Sequence, residues 1–155
     1  MMLSPHFSRA ELIHSDVAIR HGWHNEPNAQ SEENLGVLAH CGLEAARERV
    51  GYPLIITSGY RSKQLNKAVG GSPTSQHMVG QAADFVVAGF DAYTVFKWLR
   101  LNVEYDQLIL EYNQWIHFSY CTDNRSQALI SRCVNGKTVY ELVLRGETLP
   151  STLVP

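Results

Sequence analysis

The chain has no run of about 18 consecutive apolar residues, the length a membrane-spanning helix requires, so no membrane span is expected. It has no excess of positive charge either. Its 13 Lys and Arg against 15 Asp and Glu leave a formal net charge of −2, so no basic field argues for nucleic acid or an anionic membrane as a partner. Cysteine is scarce. Cys41, Cys121 and Cys133 are odd in number and form no CxxC pair, which excludes an all-cysteine zinc site and argues against a disulfide framework. There are no repeats, no low-complexity tracts and no interdomain linker. The segment Met1–Phe7 lacks the charged start and apolar stretch of a secretory signal, so synthesis in the cytoplasm without export is expected. What remains is 155 residues, 45% apolar and 18% charged, the proportions of a globular monomer with one core. Residues 1–155 read as a single domain.

Periodicity supplies the elements. Leu35, Leu38, Ala39, Gly42, Ala46 and Val50 recur at three- and four-residue steps and predict a helix from Ser31 to Val50, stopped by Gly51. Cys41 falls within this pattern and is expected to be a small core residue. Ser8 with Glu11 marks a short helix start, Ser62 begins another through Val69, and Asp91 caps a helix running to Leu101. The run Tyr52–Thr57 predicts a central strand. Gln107–Glu111 and Trp115–Tyr120 predict a hairpin around Asn113. Ala128–Val134 and Thr138–Val143 predict a second, joined by Asn135-Gly136, a type I′ turn signal. Sequence-adjacent strands joined by tight turns imply a central antiparallel sheet, and the helices gathered earlier in the chain make the class α+β.

The chemistry concentrates in two short stretches. Ser75-Gln76-His77-Met78-Val79-Gly80-Gln81-Ala82-Ala83-Asp84 and Trp115-Ile116-His117 together offer two imidazoles and one carboxylate. Three such ligands hold zinc with its fourth tetrahedral position open, the arrangement of a catalytic metal site. Gly80 permits a turn of positive φ between His77 and Asp84. Ile116 and Phe118 flank His117 with period two, which puts His117 and Trp115 on one strand face. Spacing alone leaves open the alternative that these are ordinary hydrogen-bonded histidines. Arg61, after the turn sequence Ser58-Gly59-Tyr60, has the fork geometry to grip a carboxylate or an oxyanion, with a surface ion pair as its plainer reading. His21-Gly22-Trp23-His24 is a weaker metal candidate, since Gly22 weakens a helix and no carboxylate stands near.

Read in order, Ser58-Gly59-Tyr60-Arg61-Ser62, Asn66, Val69-Gly70-Gly71, Ser75-x-His77-x-x-Gly80-x-Ala82-x-Asp84 and Trp115-Ile116-His117 resemble the M15 peptidases. These are D-Ala-D-Ala carboxypeptidases and related phage endolysins that share a zinc fold with the Hedgehog signalling domain. The resemblance runs from about Leu3 to Ser119 and implies one zinc per chain on His77, Asp84 and His117. It also implies that Arg61 binds substrate or the oxyanion. Ser75 is placed to bond substrate or to order the turn before His77, and Tyr60 to flank the substrate cleft or to pack. Many of these enzymes place a catalytic glutamate three residues before the second histidine ligand. Here that position is Gln114, which cannot accept a proton. Glu111, where other branches carry a glutamate, becomes the expected proton shuttle.

The resemblance therefore implies a zinc peptidase acting on peptidoglycan stem peptides or cross-links, released by lysis or carried on a virion. The alternative is a non-catalytic, zinc-stabilised module that binds cell wall or belongs to a virion.

Overall fold

Six polar residues start helical segments by one chemistry. Side-chain oxygens of Ser8, Ser15, Asn28, Ser62, Ser75 and Asp91 each accept a backbone N–H that the first turn leaves unpaired. They open α1 (Arg9–Ile13), α2 (Asp16–His21), α3 (Ala29–Val37), α5 (Lys63–Ala68), a 3₁₀ turn (Gln76–Val79) and α6 (Ala92–Arg100). α3 continues without a break through a π-helical segment, Leu38–Leu43, into α4 (Glu44–Val50). In that segment the pairs Leu38–Ala39 and Gly42–Leu43 occupy the inner face and leave His40 and Cys41 outward. Cys41 is therefore exposed rather than a core residue. Residues 1–153 are described by a computed structural model.

The strands β1 (Ile55–Ser58), β2 (Ala82–Val86), β3 (Gln107–Glu111), β4 (Trp115–Ser119), β5 (Gln127–Val134) and β6 (Lys137–Val143) form one sheet of order β1-β2-β4-β3-β5-β6. The fold is α+β, as the sequence predicts, with two differences. β1 is an edge strand and not a central one, paired with β2 alone, and Ile55 is 47% exposed. The sheet is also mixed, because β5 runs parallel to β3. Residues 120–126 cross the end of β3 instead of reversing beside β4, so β5 begins level with the start of β3, Gln127 opposite Gln107. Both predicted hairpins form. Asn135 and Gly136 take φ of 50° and 74°, as a type I′ turn demands.

Period two divides the sheet chemically. Ala83, Phe85, Leu108, Leu110, Ile116 and Phe118 join helical Leu35, Leu38, Leu43, Phe96 and Leu99 in the core. Each fully buried Phe or Leu contributes about 1.5–3 kcal/mol. The intervening residues Asp84, His117, Ile109, Glu111 and Leu129 line a cleft. Among the described residues no helix is long and apolar enough to cross a membrane.

Candidate metal centre

Three elements bring His77, Asp84 and His117 together. The 3₁₀ turn carries His77, with its N–H donated to Ser75 Oγ. Gly80 (φ 74°) then turns the chain into β2. A side chain at Gly80 would also meet the Ser31 carbonyl oxygen at 2.3 Å, so both conformation and space require glycine. Asp84 on β2 stands directly opposite His117 on β4. His77 Nε2 lies 3.2 Å from His117 Nδ1 and 3.3 Å from Asp84 Oδ1, and His117 Nδ1 lies 3.0 Å from the same oxygen.

The donor set fits zinc. Bonds of about 2.0–2.1 Å at the tetrahedral angle need ligand atoms roughly 3.3 Å apart, close to the three separations observed. His77 Nδ1 is 2.7 Å from the Gly59 carbonyl oxygen, which fixes its proton there and turns the Nε2 lone pair toward the other two ligand atoms. Gly59 is itself confined: a Cβ there would lie 2.1 Å from the Leu12 carbonyl oxygen. Burial pushes the His77 pKa below its ordinary value despite the opposing Asp84 charge, which favours the neutral ring that a metal would require. Burial alone would raise the Asp84 pKa, but the imidazoles of His77 and His117 outweigh it and hold the carboxyl far below the usual range.

Arg61 grips the other oxygen of that carboxylate, with Nη2 donating to Asp84 Oδ2 at 2.9 Å. Its Nε donates to Ser58 Oγ at 2.9 Å, and Nη1 reaches buried Asn66 Oδ1 at 3.5 Å. Arg61 thus orients a candidate ligand while lining the cleft. Glu111 lies on the adjacent strand, its cross-strand partner being Trp115, while His117 faces Ile109. That register puts Glu111 diagonal to His117 on one face of the sheet, within reach of long side chains. Ser131 Oγ donates to Glu111 Oε2 at 2.5 Å. Burial raises the Glu111 pKa, the Ser131 bond and His117 opposing it, and the Asp84 charge adding to it.

The cleft, about 620 Å³, also takes in Ser75. Tyr60 does not reach it. Its backbone N–H bonds the Leu12 carbonyl and its carbonyl accepts from Asn25, so the ring turns into the core at 8% exposure. This corrects the expectation that Tyr60 flanks the substrate. Gln114 is exposed at the β3–β4 turn, outside the cleft lining. His21 stacks on Trp23 beyond the cap at Gly22, and His24 forms no metal-type cluster with it. The cleft also includes Gln76, Gln107, Arg125, Leu129 and Tyr140, none of which the sequence motifs single out.

The family model described as Peptidase M15 matches residues 5–119. The chain belongs to the peptidase M15 family. M15 peptidases are zinc-dependent, and in this M15 chain His77, Asp84 and His117 form a group able to hold a metal, their ligand atoms all within 4.8 Å of one another. The match takes in that group, Arg61 and Glu111, and stops before β5 and β6. No curated protein matches the chain.

Proposed function

We propose that this M15 chain is a zinc-dependent peptidase that hydrolyses an amide bond in bacterial peptidoglycan stem peptides or cross-links, acting as a DD-carboxypeptidase, an endopeptidase or an endolysin. The observation that supports it is the convergence, on one cleft, of a three-ligand group with a buried carboxylate and a guanidinium. His77, Asp84 and His117 would hold the metal, which supplies Lewis acidity to polarise an amide carbonyl and activate water. Glu111 takes up a proton and returns it to the leaving amine. Its raised pKa brings it nearer the operating range of a shuttle than an ordinary glutamate. Arg61 holds Asp84 in place and presents the rest of its fork to developing negative charge. Ser75 lines the cleft beside His77 and is available to substrate. Such an enzyme reaches its polymer on lysis or as part of a virion.

Incubation of zinc-loaded protein with purified sacculi, followed by mass spectrometry of the released peptides, tests the reading. New amino and carboxyl termini at one defined amide bond are expected. Intact sacculi that retain bound protein would support the non-catalytic binding module instead.

A further inference from the structure

Arg125 lies on the wall of the cleft, in the segment that crosses from β4 to β5. Its guanidinium is held from behind: Nε donates to Asp106 Oδ1 at 2.9 Å and Nη2 to Asp106 Oδ2 at 2.6 Å. The Arg125 backbone N–H also donates to Asp106 Oδ1, at 2.9 Å. Asp106 is 2% exposed, whereas the Arg125 side chain is 55% exposed. Nη1 makes no hydrogen bond among the described residues. The result is a charged, planar donor fixed in orientation, with one free edge on the cleft.

A second observation concerns Gln76, beside the candidate ligand His77. Gln76 Nε2 donates to Asp106 Oδ2 at 2.9 Å. A carboxylate only accepts, so the amide orientation is unambiguous, and Gln76 Oε1 is left buried without a partner among the described residues. An unmet buried acceptor is a standing cost. It is tolerated where it fixes Asp106, and through Asp106 the guanidinium in the cleft. Arg61, the other guanidinium of the cleft, is committed to Asp84, Ser58 and Asn66. Arg125 is therefore the one with a whole Nη1 group unbonded among the described residues.

We propose that Arg125, oriented by Asp106 and Gln76, is a specificity-determining residue that binds a carboxylate of the peptide substrate close to the scissile amide. Gln107, next to Asp106, bonds through its N–H to Ser119, two residues along β4 from His117. Arg125 and the metal group line one cleft, so the carboxylate it reads belongs to the same bound peptide. The inference rests on the proposed peptidase reading of the cleft and names the class of substrate it admits: peptides that bring a free carboxylate into the cleft, with the carboxamide forms rejected. Asp106 and Arg125 also fasten the crossover, so the test must read discrimination and not only loss of rate.

The probes are L-Ala-γ-D-Glu-L-Lys-D-Ala-D-Ala, its D-Glu α-carboxamide and its C-terminal amide, each assayed with zinc-loaded wild type, Arg125→Gln and Arg125→Lys. Wild type is expected to prefer one carboxylate over its carboxamide by about tenfold or more in kcat/KM, the worth of one charge-assisted hydrogen bond. Which amide is rejected tells a terminal carboxylate from that of D-Glu. Arg125→Gln should bring the ratio to within about threefold, and Arg125→Lys, which keeps charge but loses the fork, should fall between. If all three proteins cleave all three peptides with the same ratios, the Arg125 assignment is overturned and the peptidase reading stands. If wild type cleaves none, the peptidase reading fails, and calorimetric titration of the same peptides decides Arg125 separately. Tighter binding of carboxylate than of carboxamide, lost in Arg125→Gln or reduced in Arg125→Lys, supports the assignment; no such difference overturns it.

Discussion

His77 Nδ1 lies 2.7 Å from the carbonyl oxygen of Gly59. A carbonyl only accepts, so this contact chooses the tautomer and commits the Nε2 lone pair to the side where a metal would be held.

Zinc stoichiometry follows from that commitment. Elemental analysis of the purified protein is expected to find one zinc per chain, and the double variant His77→Ala, His117→Ala none. One zinc still present in the double variant would place the site elsewhere. The pH dependence has a definite sign. The His77 pKa is lowered by folding, so below its unfolded value, about 6.5, the unfolded chain binds more protons than the native one. Metal-free protein should therefore lose stability as pH falls from about 6.5 toward the lowered folded value, and bound zinc should be released on acidification.

Glu111→Gln should bind zinc normally, keep its melting temperature within a few degrees and lose roughly 100-fold or more of its hydrolysis rate, while Gln114→Ala keeps most of it. The acid limb of kcat/KM should lie above the ordinary glutamate value, since burial raises the Glu111 pKa. Removing the Ser131 hydroxyl takes away a hydrogen bond that favours the ionised form. Ser131→Ala should thus shift that limb to still higher pH. A full-rate Glu111→Gln beside a dead Gln114→Ala would reverse the assignment.

Arg61→Lys keeps one charge but cannot reach Asp84, Ser58 and Asn66 together. Two readouts are expected to move: zinc affinity by about 10- to 100-fold, and turnover at saturating zinc by about 100- to 1000-fold. Unchanged values of both on wall fragments would remove Arg61 from the site.

Asp106 supplies a test of stability rather than rate. Its carboxyl is lowered to about 2, chiefly by the Arg125 side-chain hydrogen bonds, which prevail over burial. A depressed carboxylate contributes stability that is present above its unfolded pKa and lost as pH falls through the folded one. The window here is roughly pH 4 to 2, and the contribution is about 2 kcal/mol. Denaturant titrations should find Asp106→Asn less stable at pH 6 by about 2–4 kcal/mol, with the gap closing toward pH 2. A gap that persists unchanged at pH 2 would show that the loss is packing and not charge.

The placement of His77, Asp84 and His117 was legible because it depends on short-range chemistry. A capped turn, a positive-φ glycine and strand parity each operate within a few residues, and these fix which way the three side chains point. Glu111 was named through the resemblance, and its place diagonal to His117 comes from a hairpin register that the sequence leaves open. Arg125 was not, because its contact with Asp106 exists only once residues 120–126 have crossed β3. The same crossing makes the sheet mixed, which turn signals between neighbouring strands do not foretell. Tyr60 follows a bond between its own backbone and Leu12, far away in sequence. Cys41 is exposed because outward and inward positions on a helix are decided by which flank meets the sheet.

The cleft is built from two stretches of chain with different obligations. The metal group, Arg61 and Glu111 lie within the matched residues 5–119, whereas Arg125, Leu129 and Tyr140 follow them. The two stretches are nonetheless interlocked, because Ser131 on β5 bonds Glu111 and Arg125 in the crossover bonds Asp106. A change of residue in the crossover or the second hairpin should therefore register at Glu111 as well as at the cleft wall, so that substrate preference and pH profile move together.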